Sequence, residues 1–349
     1  MTSNATRIRM TPLRRRLLIL VTAVLLLAGL GTGVVLHAAA RADRADQPQP
    51  GGPAVSAGKL TLSQKGRLAF LNAAAGPHRT AVASVPSADP GGGRIATSLK
   101  CARFYAAAGR GVCLQSVTGV LKQSNRALLL DANLRTLRTF PLAGTPSRAR
   151  VSPSGRFAAW TVFVSGESYS SAFFSTRTSI LDTRTMRLTP SLERFSVIKD
   201  GKPYHASDIN FWGVTFASDD DTFYATLNTA NHTYLVRGSL SRHTVTTLIQ
   251  NVECPSLSPD ETRVAFKKRV LSGTSLWHEY VLDLRTLKET ALAERHSVDD
   301  QATWLDDHTV AYALPTNGKV GSSDLWSVPA NGTGTPRLLI AGASSPAPL

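Results

Sequence analysis

Charge and cysteine are both scarce in this chain. Only 18% of its 349 residues are charged, and it holds three Cys. With 42% hydrophobic content, that low charge excludes a disordered chain. Three Cys cannot all pair internally. No basic run exceeds Lys267-Lys268-Arg269, and no recognition helix or stacking motif occurs, so nucleic acid is not an expected partner. A Gly-x-Ser-x-Gly elbow is missing, which excludes the hydrolase domain of propeller-bearing serine peptidases. The eight His are dispersed without a His-x-x-x-His pair, so neither a metal nor a cofactor is expected.

One long apolar run is present. From 17 to 36 the chain reads LLILVTAVLLLAGLGTGVVL, without a charge. At about 1.5 Å per residue it spans a hydrocarbon core of roughly 30 Å. Arg7, Arg9, Arg14, Arg15 and Arg16 precede it, whereas Arg41, Asp43, Arg44 and Asp46 after it cancel. The positive-inside rule then predicts a single-pass protein of the cytoplasmic membrane, N-terminus inside and the remainder outside. The rival reading is a cleaved signal, with small residues at Ala38-Ala39-Ala40 and Ala40-Arg41-Ala42. Signal cores run about 7 to 15 residues, so this longer one favours an uncleaved anchor. No Cys lies nearby to make a lipoprotein. Gly29 and Gly33 have the small-xxx-small spacing of pairing helices, a weak case for a dimer; a monomer is expected.

Most of the formal charge of +15 lies beyond the anchor. Residues 1–54 hold seven Arg and two Asp, and the remaining chain keeps 32 basic and 22 acidic residues without a basic cluster. A scattered surplus of that kind suits a solvated surface attracted to anionic lipid or wall polymer. The 45 Gly and Pro suit many strands joined by many turns.

Beyond a Pro- and Gly-rich stretch, one unit recurs: an apolar strand, a tight polar turn, a second apolar strand. Its plainest copies are ARVSPSGRFAAW (149–160) and PSLSPDETRVAFK (255–267). Weaker copies begin at Leu60, Ala102, Trp212 and Gln301. Pro presets φ in these turns, and Ser or Asp supplies local acceptors. The copies align at Ala69, Val112, Ala158, Tyr224, Ala265 and Ala311, with steps of 43, 46, 66, 41 and 46. An insertion at 191–210 stretches the third step. LLLDANLRTLRTF (128–140), SILDTRTMRLT (179–189) and YVLDLRTLKETAL (280–292) add a third strand, an Asp, an Arg-Thr turn and a fourth strand. Four strands in about 40 to 46 residues is the period of a propeller blade. A unit that small cannot bury its own faces, so blades must stack around an axis. The predicted fold class is therefore all-β, a six-bladed β-propeller of four-stranded antiparallel blades. Its predicted boundaries are a cytoplasmic basic tail at 1–16, a signal-anchor helix at 17–37, a flexible linker at 38–58, the propeller at 59–341 and a C-terminal tail at 342–349.

The Ser-Pro-(Ser/Asp)-x-x-x-(Val/Phe)-Ala-(Phe/Ala) signature resembles the repeats of TolB-type propellers, a WD-repeat-like class of bacterial exported proteins. The resemblance covers residues 59–341. It implies a six-bladed protein-interaction platform without a cofactor. The best-known periplasmic member adds an α/β domain and a cleaved signal, neither of which is visible in this sequence.

Candidate site residues follow from position. Connections from the last strand of one blade to the first of the next, and those joining strands two and three, gather on one face. Here they are 144–150, 200–211, 250–254 and 294–301, with 165–177 and 268–278. Loops on a rigid frame are where propellers bind, so the expected ligand-binding residues are Tyr204, His205, Asp208, Glu253, Arg295, His296, Asp299 and Asp300. Asp219-Asp220-Asp221 and Asp306-Asp307 are read as turn chemistry, and the five Trp as packing between blades. Two readings of the cysteines stand: a Cys101–Cys113 bridge, which an exported compartment permits, or three buried thiols. The expected function is a non-catalytic module binding a protein or envelope polymer. The alternative is a propeller enzyme of lactonase or lyase type, or a sensor, for which Glu253, Asp299 and Asp300 are the nearest acidic candidates.

Overall fold

The computed structural model describes residues 11–48, 50–118, 123–166, 174–272, 275–316 and 322–349. Arg7, Arg9, and residues 167–173 and 273–274 of two expected face connections lie outside these. A helix spans Pro12–Ala45, and its Pro12–Ala40 part is long and apolar enough to cross a membrane. Beyond it the chain is a six-bladed β-propeller with four antiparallel strands in each blade.

Blade 2 comprises Arg103–Ala107, Arg110–Thr118, Gln123–Leu130 and Thr136–Leu142, from axis to rim. Blade 3 comprises Thr145–Val151, Phe157–Ser165, Ser175–Asp182 and Arg187–Thr189. Blade 4 comprises Asn210–Phe216, Thr222–Thr229, His232–Ser239 and Thr244–Gln250; blade 5 begins with Glu253–Leu257 and Arg263–Ser272, and blade 6 with Thr303–Trp304 and Thr309–Pro315. The six aligned positions occupy one register. Ala158 lies between Val151 and Leu181, Ala265 between Ser256 and Val281, and Ala69 between Ala347 and Ser84. Each sits near the start of a second strand and is buried.

The core is not one mass. Six apolar clusters fill the six gaps between neighbouring blades, such as Val112, Leu129, Ala158, Trp160 and Leu181 between blades 2 and 3. Strands buried on both faces explain why the sequence shows apolar runs rather than clean alternation. Trp160 and Trp304 are buried and Trp326 is half-buried in these gaps, whereas the buried Trp212 and Trp277 join Phe163 and Cys254 in a seventh cluster drawn from blades 3, 4 and 5.

Three expectations need correction. The tail at 342–349 is instead the inner strand of blade 1: Ala343–Pro348 pairs with Arg67–Asn72, so the two ends of the propeller chain close one blade. Its Ser-Pro-Ala-Pro composition resembles a tail, but an innermost strand leaves one edge unpaired and tolerates Pro there. Consequently Leu60–Leu62 of the first copy is no strand, and its two Leu plug the gap between blades 1 and 2. The linker ends in a short strand, Val55–Ala57, which runs parallel to Arg94–Lys100 on the rim of blade 1. Lastly, the 191–210 insertion, which includes most of the 200–211 connection expected on the binding face, is largely built into blade 4. Leu192, Phe195 and Val197 are buried against blade 4, and Ser196–Lys199 with Lys202–Tyr204 extend that blade to six strands at its outer edge.

The turns joining third and fourth strands share a left-handed residue: Leu134 (φ 61°), Met186 (58°), His243 (52°) and Leu287 (56°). That conformation suits Gly and costs a Leu about 1 to 2 kcal/mol. Leu287 is 39% exposed and contributes little packing. Leu287→Gly is therefore expected to raise the free energy of unfolding by about 0.5 to 1 kcal/mol, read from urea melts. A loss of stability would show that its side chain matters more than its backbone.

Candidate functional site

Polar side chains from the inner strands close the propeller axis. Arg148 and Arg150 alternate with Ala149 and Val151 on the first strand of blade 3, and both guanidinium groups are buried. Arg150 lies 4.3 Å over the Tyr105 ring of blade 2 and donates to the Ala302 carbonyl of blade 6 at 3.0 Å. Gln301 Nε2 donates to the carbonyls of Val214 (3.1 Å) in blade 4 and Pro255 (2.9 Å) in blade 5. Thr303 Oγ1 reaches the Pro346 carbonyl of blade 1 at 3.2 Å. All six blades are thus tied at the centre, leaving a void of about 30 Å³. The axis holds the ring in register and is not a pore.

Above this plug, a cavity of about 740 Å³ opens between blades 6, 1 and 2. It lies on the face formed by interblade connections and by the links between strands two and three. Asp299 and Asp300 line one side and Arg79 and Arg103 another; Leu71, Leu314 and Pro315 give an aliphatic strip. Arg103 Nε donates to the Ser147 carbonyl at 2.6 Å. Arg79 has no side-chain partner among the described residues, and the Ser344 and Ser345 hydroxyls at the rim make no hydrogen bond there.

A buried ionic network lies next to the cavity. Lys267 is fully buried on the second strand of blade 5, with its ammonium paired to Asp299, 3.7 Å from Glu253 and 4.1 Å from the Trp277 ring centre. Arg148 Nη2 is 3.4 Å from Asp299, and Trp277 Nε1 donates to Glu253 at 3.0 Å. Burial alone would raise the Asp299 carboxyl, but Lys267 and Arg148 outweigh it and hold it below the usual range. Glu279, the register partner of Lys267, is also fully buried, and neither carboxyl oxygen has a hydrogen-bond partner among the described residues. Burial first, then Asp300 and Glu294, push it up to about 8 against the pull of Lys267. Glu294 accepts from Tyr312 Oη at 2.6 Å and from the His296 backbone at 2.7 Å.

The eight expected ligand residues divide into separate groups. Glu253 and Asp299 meet on Lys267, and Asp300 lines the cavity beside Asp299. Arg295 and His296 are exposed on the same connection, where His296 Nδ1 lies 2.7 Å from Glu294. Tyr204, His205 and Asp208 do not join them. Tyr204 Oη lies 2.9 Å from Thr229 Oγ1, and Asp208 accepts from Thr229 (2.7 Å) and the Ala230 amide (2.6 Å). They clamp the extended rim of blade 4, and His205 is exposed there. Arg79, Arg103, Arg148, Lys267 and Glu279 are absent from the expected set. Their signal is charge at an inward position of an apolar strand, as in Ala265-Phe266-Lys267, or at a strand end facing the axis.

Cys101, at the cavity wall, is bonded to Cys113, with Cα atoms 5.5 Å apart. Cys254 is buried and free, and burial pushes its thiol up. Asp219 accepts from the Asp221 and Thr222 amides, and Asp306 from the His308 amide, as turn residues do.

Comparison with known proteins gives a fold. No family model matches the sequence, and no curated protein matches it. Among solved structures, TolB from Acinetobacter baumannii superposes with a TM-score of 0.53 at 15% identity, over 81% of this chain and 66% of that one. The chain has the TolB-type propeller fold. It spans just under two thirds of that TolB's length. An oligogalacturonate lyase from Vibrio parahaemolyticus is also similar, with a TM-score of 0.45 at 8% identity over 72% of each chain.

Proposed function

We propose that this chain is a non-catalytic interaction module, tethered by its N-terminal helix outside the cytoplasmic membrane, that captures a protein segment in the cavity between blades 6, 1 and 2. The observation that carries this reading is the set of unspent groups there. Arg79 and the hydroxyls of Ser344 and Ser345 serve no fold contact, yet they stand on a frame locked at its axis. Preorganised polar groups beside an aliphatic strip are what a recognition site needs. No aromatic ring lines the cavity among the described residues, so a stacked sugar is poorly served and a peptide with an aliphatic side chain and an acidic group fits better. Arg14, Arg15 and Arg16 at the start of the helix favour the outward orientation of everything after it.

Two measurements test this. A reporter fused after Leu349 is expected to be active only outside the cytoplasm, with the N-terminal residues retained; a mature N-terminus near Arg41 overturns the tether. Filling the cavity with Ser344→Trp is expected to reduce partner capture from the native envelope more than about tenfold, a loss of roughly 1.4 kcal/mol, with an unchanged unfolding temperature. Arg285→Glu, on the opposite face, is expected to leave capture intact. Undiminished capture by Ser344→Trp removes the cavity from consideration.

A further inference from the structure

A second cleft, of about 320 Å³, lies between blades 2 and 3 on the face opposite the cavity. Its walls are the tight turns joining first and second strands, with the turns joining third and fourth. Every ionisable residue lining it is an arginine: Arg110, Arg156 and Arg184. The Ser63 hydroxyl lines it as well, and the Ser154 hydroxyl there donates to Asp220.

Two of the three guanidinium groups face no carboxylate, and the third stands beside Asp182 and Asp220. Arg110 and Arg184 have no side-chain partner among the described residues. Arg156 makes only long contacts, 3.5 Å to Asp182 and 3.9 Å to Asp220. The turns do not need these side chains. Asp182 accepts from the backbone amides of Arg184 (2.9 Å) and Thr185 (3.1 Å), so that turn is satisfied by its Asp, and the Arg184 side chain is left over. Ala108 and Gly109 form the two-residue turn that delivers Arg110 to the strand start. Gly155, at φ 72°, gives Arg110 its place: a Cβ there would stand 3.1 Å from Arg110 Cγ and 3.3 Å from Ala108 Cβ.

Two unpaired guanidinium groups, Arg110 and Arg184, beside the ion-paired Arg156 leave the cleft a surplus of positive charge, which an anion relieves. A carboxylate offers two coplanar oxygens and suits one or two arginines. A phosphate offers acceptors in several directions and more charge, which matches Arg110 and Arg184 arriving from separate turns together with Arg156 and the Ser63 hydroxyl. We infer that this cleft is a binding site for a phosphate ester, independent of the cavity on the other face. The ester belongs to an anionic lipid headgroup or to a free phosphorylated compound, and both present the same group to the cleft.

The test uses the full chain in maltoside micelles, with inorganic phosphate titrated at constant ionic strength and binding followed by calorimetry. Wild type is expected to bind saturably, and Arg110→Gln with Arg184→Gln to weaken binding by about tenfold or more, as expected for two lost charged hydrogen-bond donors. The single Arg184→Gln variant, at an exposed position without contacts, is expected to weaken binding less and keeps the test valid if the double variant misfolds. Arg337→Gln, exposed on the outer strand of blade 6, is expected to bind as wild type does. Absence of saturable binding, or equal binding by the Arg184→Gln and double variants and wild type, overturns the site. Competition by dihexanoylphosphatidylglycerol but not by glycerol 3-phosphate assigns the site to a lipid headgroup, and the reverse assigns it to a free ester. If neither competes with phosphate, the phosphate-ester class is wrong.

Discussion

Ala265→Asp is expected to lower the free energy of unfolding by about 3 to 5 kcal/mol, enough to unfold a marginal domain at 37 °C. Ala265 is wholly buried in the gap between blades 5 and 6, in one cluster with Val281, Val298, Ala302 and Tyr312. A carboxylate there gains no partner, and the close-packed gap has no room for added atoms. Ala291→Asp, on the exposed outer strand of the same blade, is expected to shift stability by less than about 0.5 kcal/mol. Urea melts of both variants give the comparison. Equal effects would mean that Ala265 does not face the next blade, and the six-copy register would fail with it.

Glu279→Gln is expected to stabilise the protein, with a gain that depends on pH. The folded carboxyl titrates near 8, whereas an unfolded Glu titrates at about 4.3. The native state therefore keeps a proton that the unfolded chain releases, so wild-type stability declines as pH rises from about 4 to about 8 and is level above that. Gln carries no such penalty. The gain is expected to be near zero at pH 4 and on the order of 4 kcal/mol at pH 7.5. A gain independent of pH would point to packing rather than to the buried carboxyl. Retention of so costly a group next to the cavity is a pattern that functional sites share.

The fold was legible because a propeller writes its period into its turns. Ser152-Pro-Ser-Gly and Ser258-Pro-Asp-Glu fixed two hairpins, and the spacing of Ala158 and Ala265 carried the others into register. Ring closure was not legible, because the strand that completes blade 1 lies some 275 residues from its partner and has the composition of a tail. The strands within 191–210 were not legible for a related reason. The buried positions there, Leu192, Phe195 and Val197, are too few and too irregular to show a period, so only the pairing with Thr244–Gln250 reveals a strand. At the candidate site, Asp299 and Asp300 were legible from their connection, since chain order alone places it on the loop face. Lys267, Arg148 and Glu279 were not, because they stand inside apolar strands and their partners come from other blades.

The central claim is that recognition uses the cavity between blades 6, 1 and 2, and site-specific photocrosslinking in intact cells tests it most directly. A photoreactive residue at Ser323, in the cavity wall, is compared with one at Arg285, on the opposite face. Discrete adducts from position 323, absent from position 285 and abolished by Ser344→Trp, are the expected result. Adducts from position 285 alone, or adducts from position 323 that persist with Ser344→Trp, would contradict it.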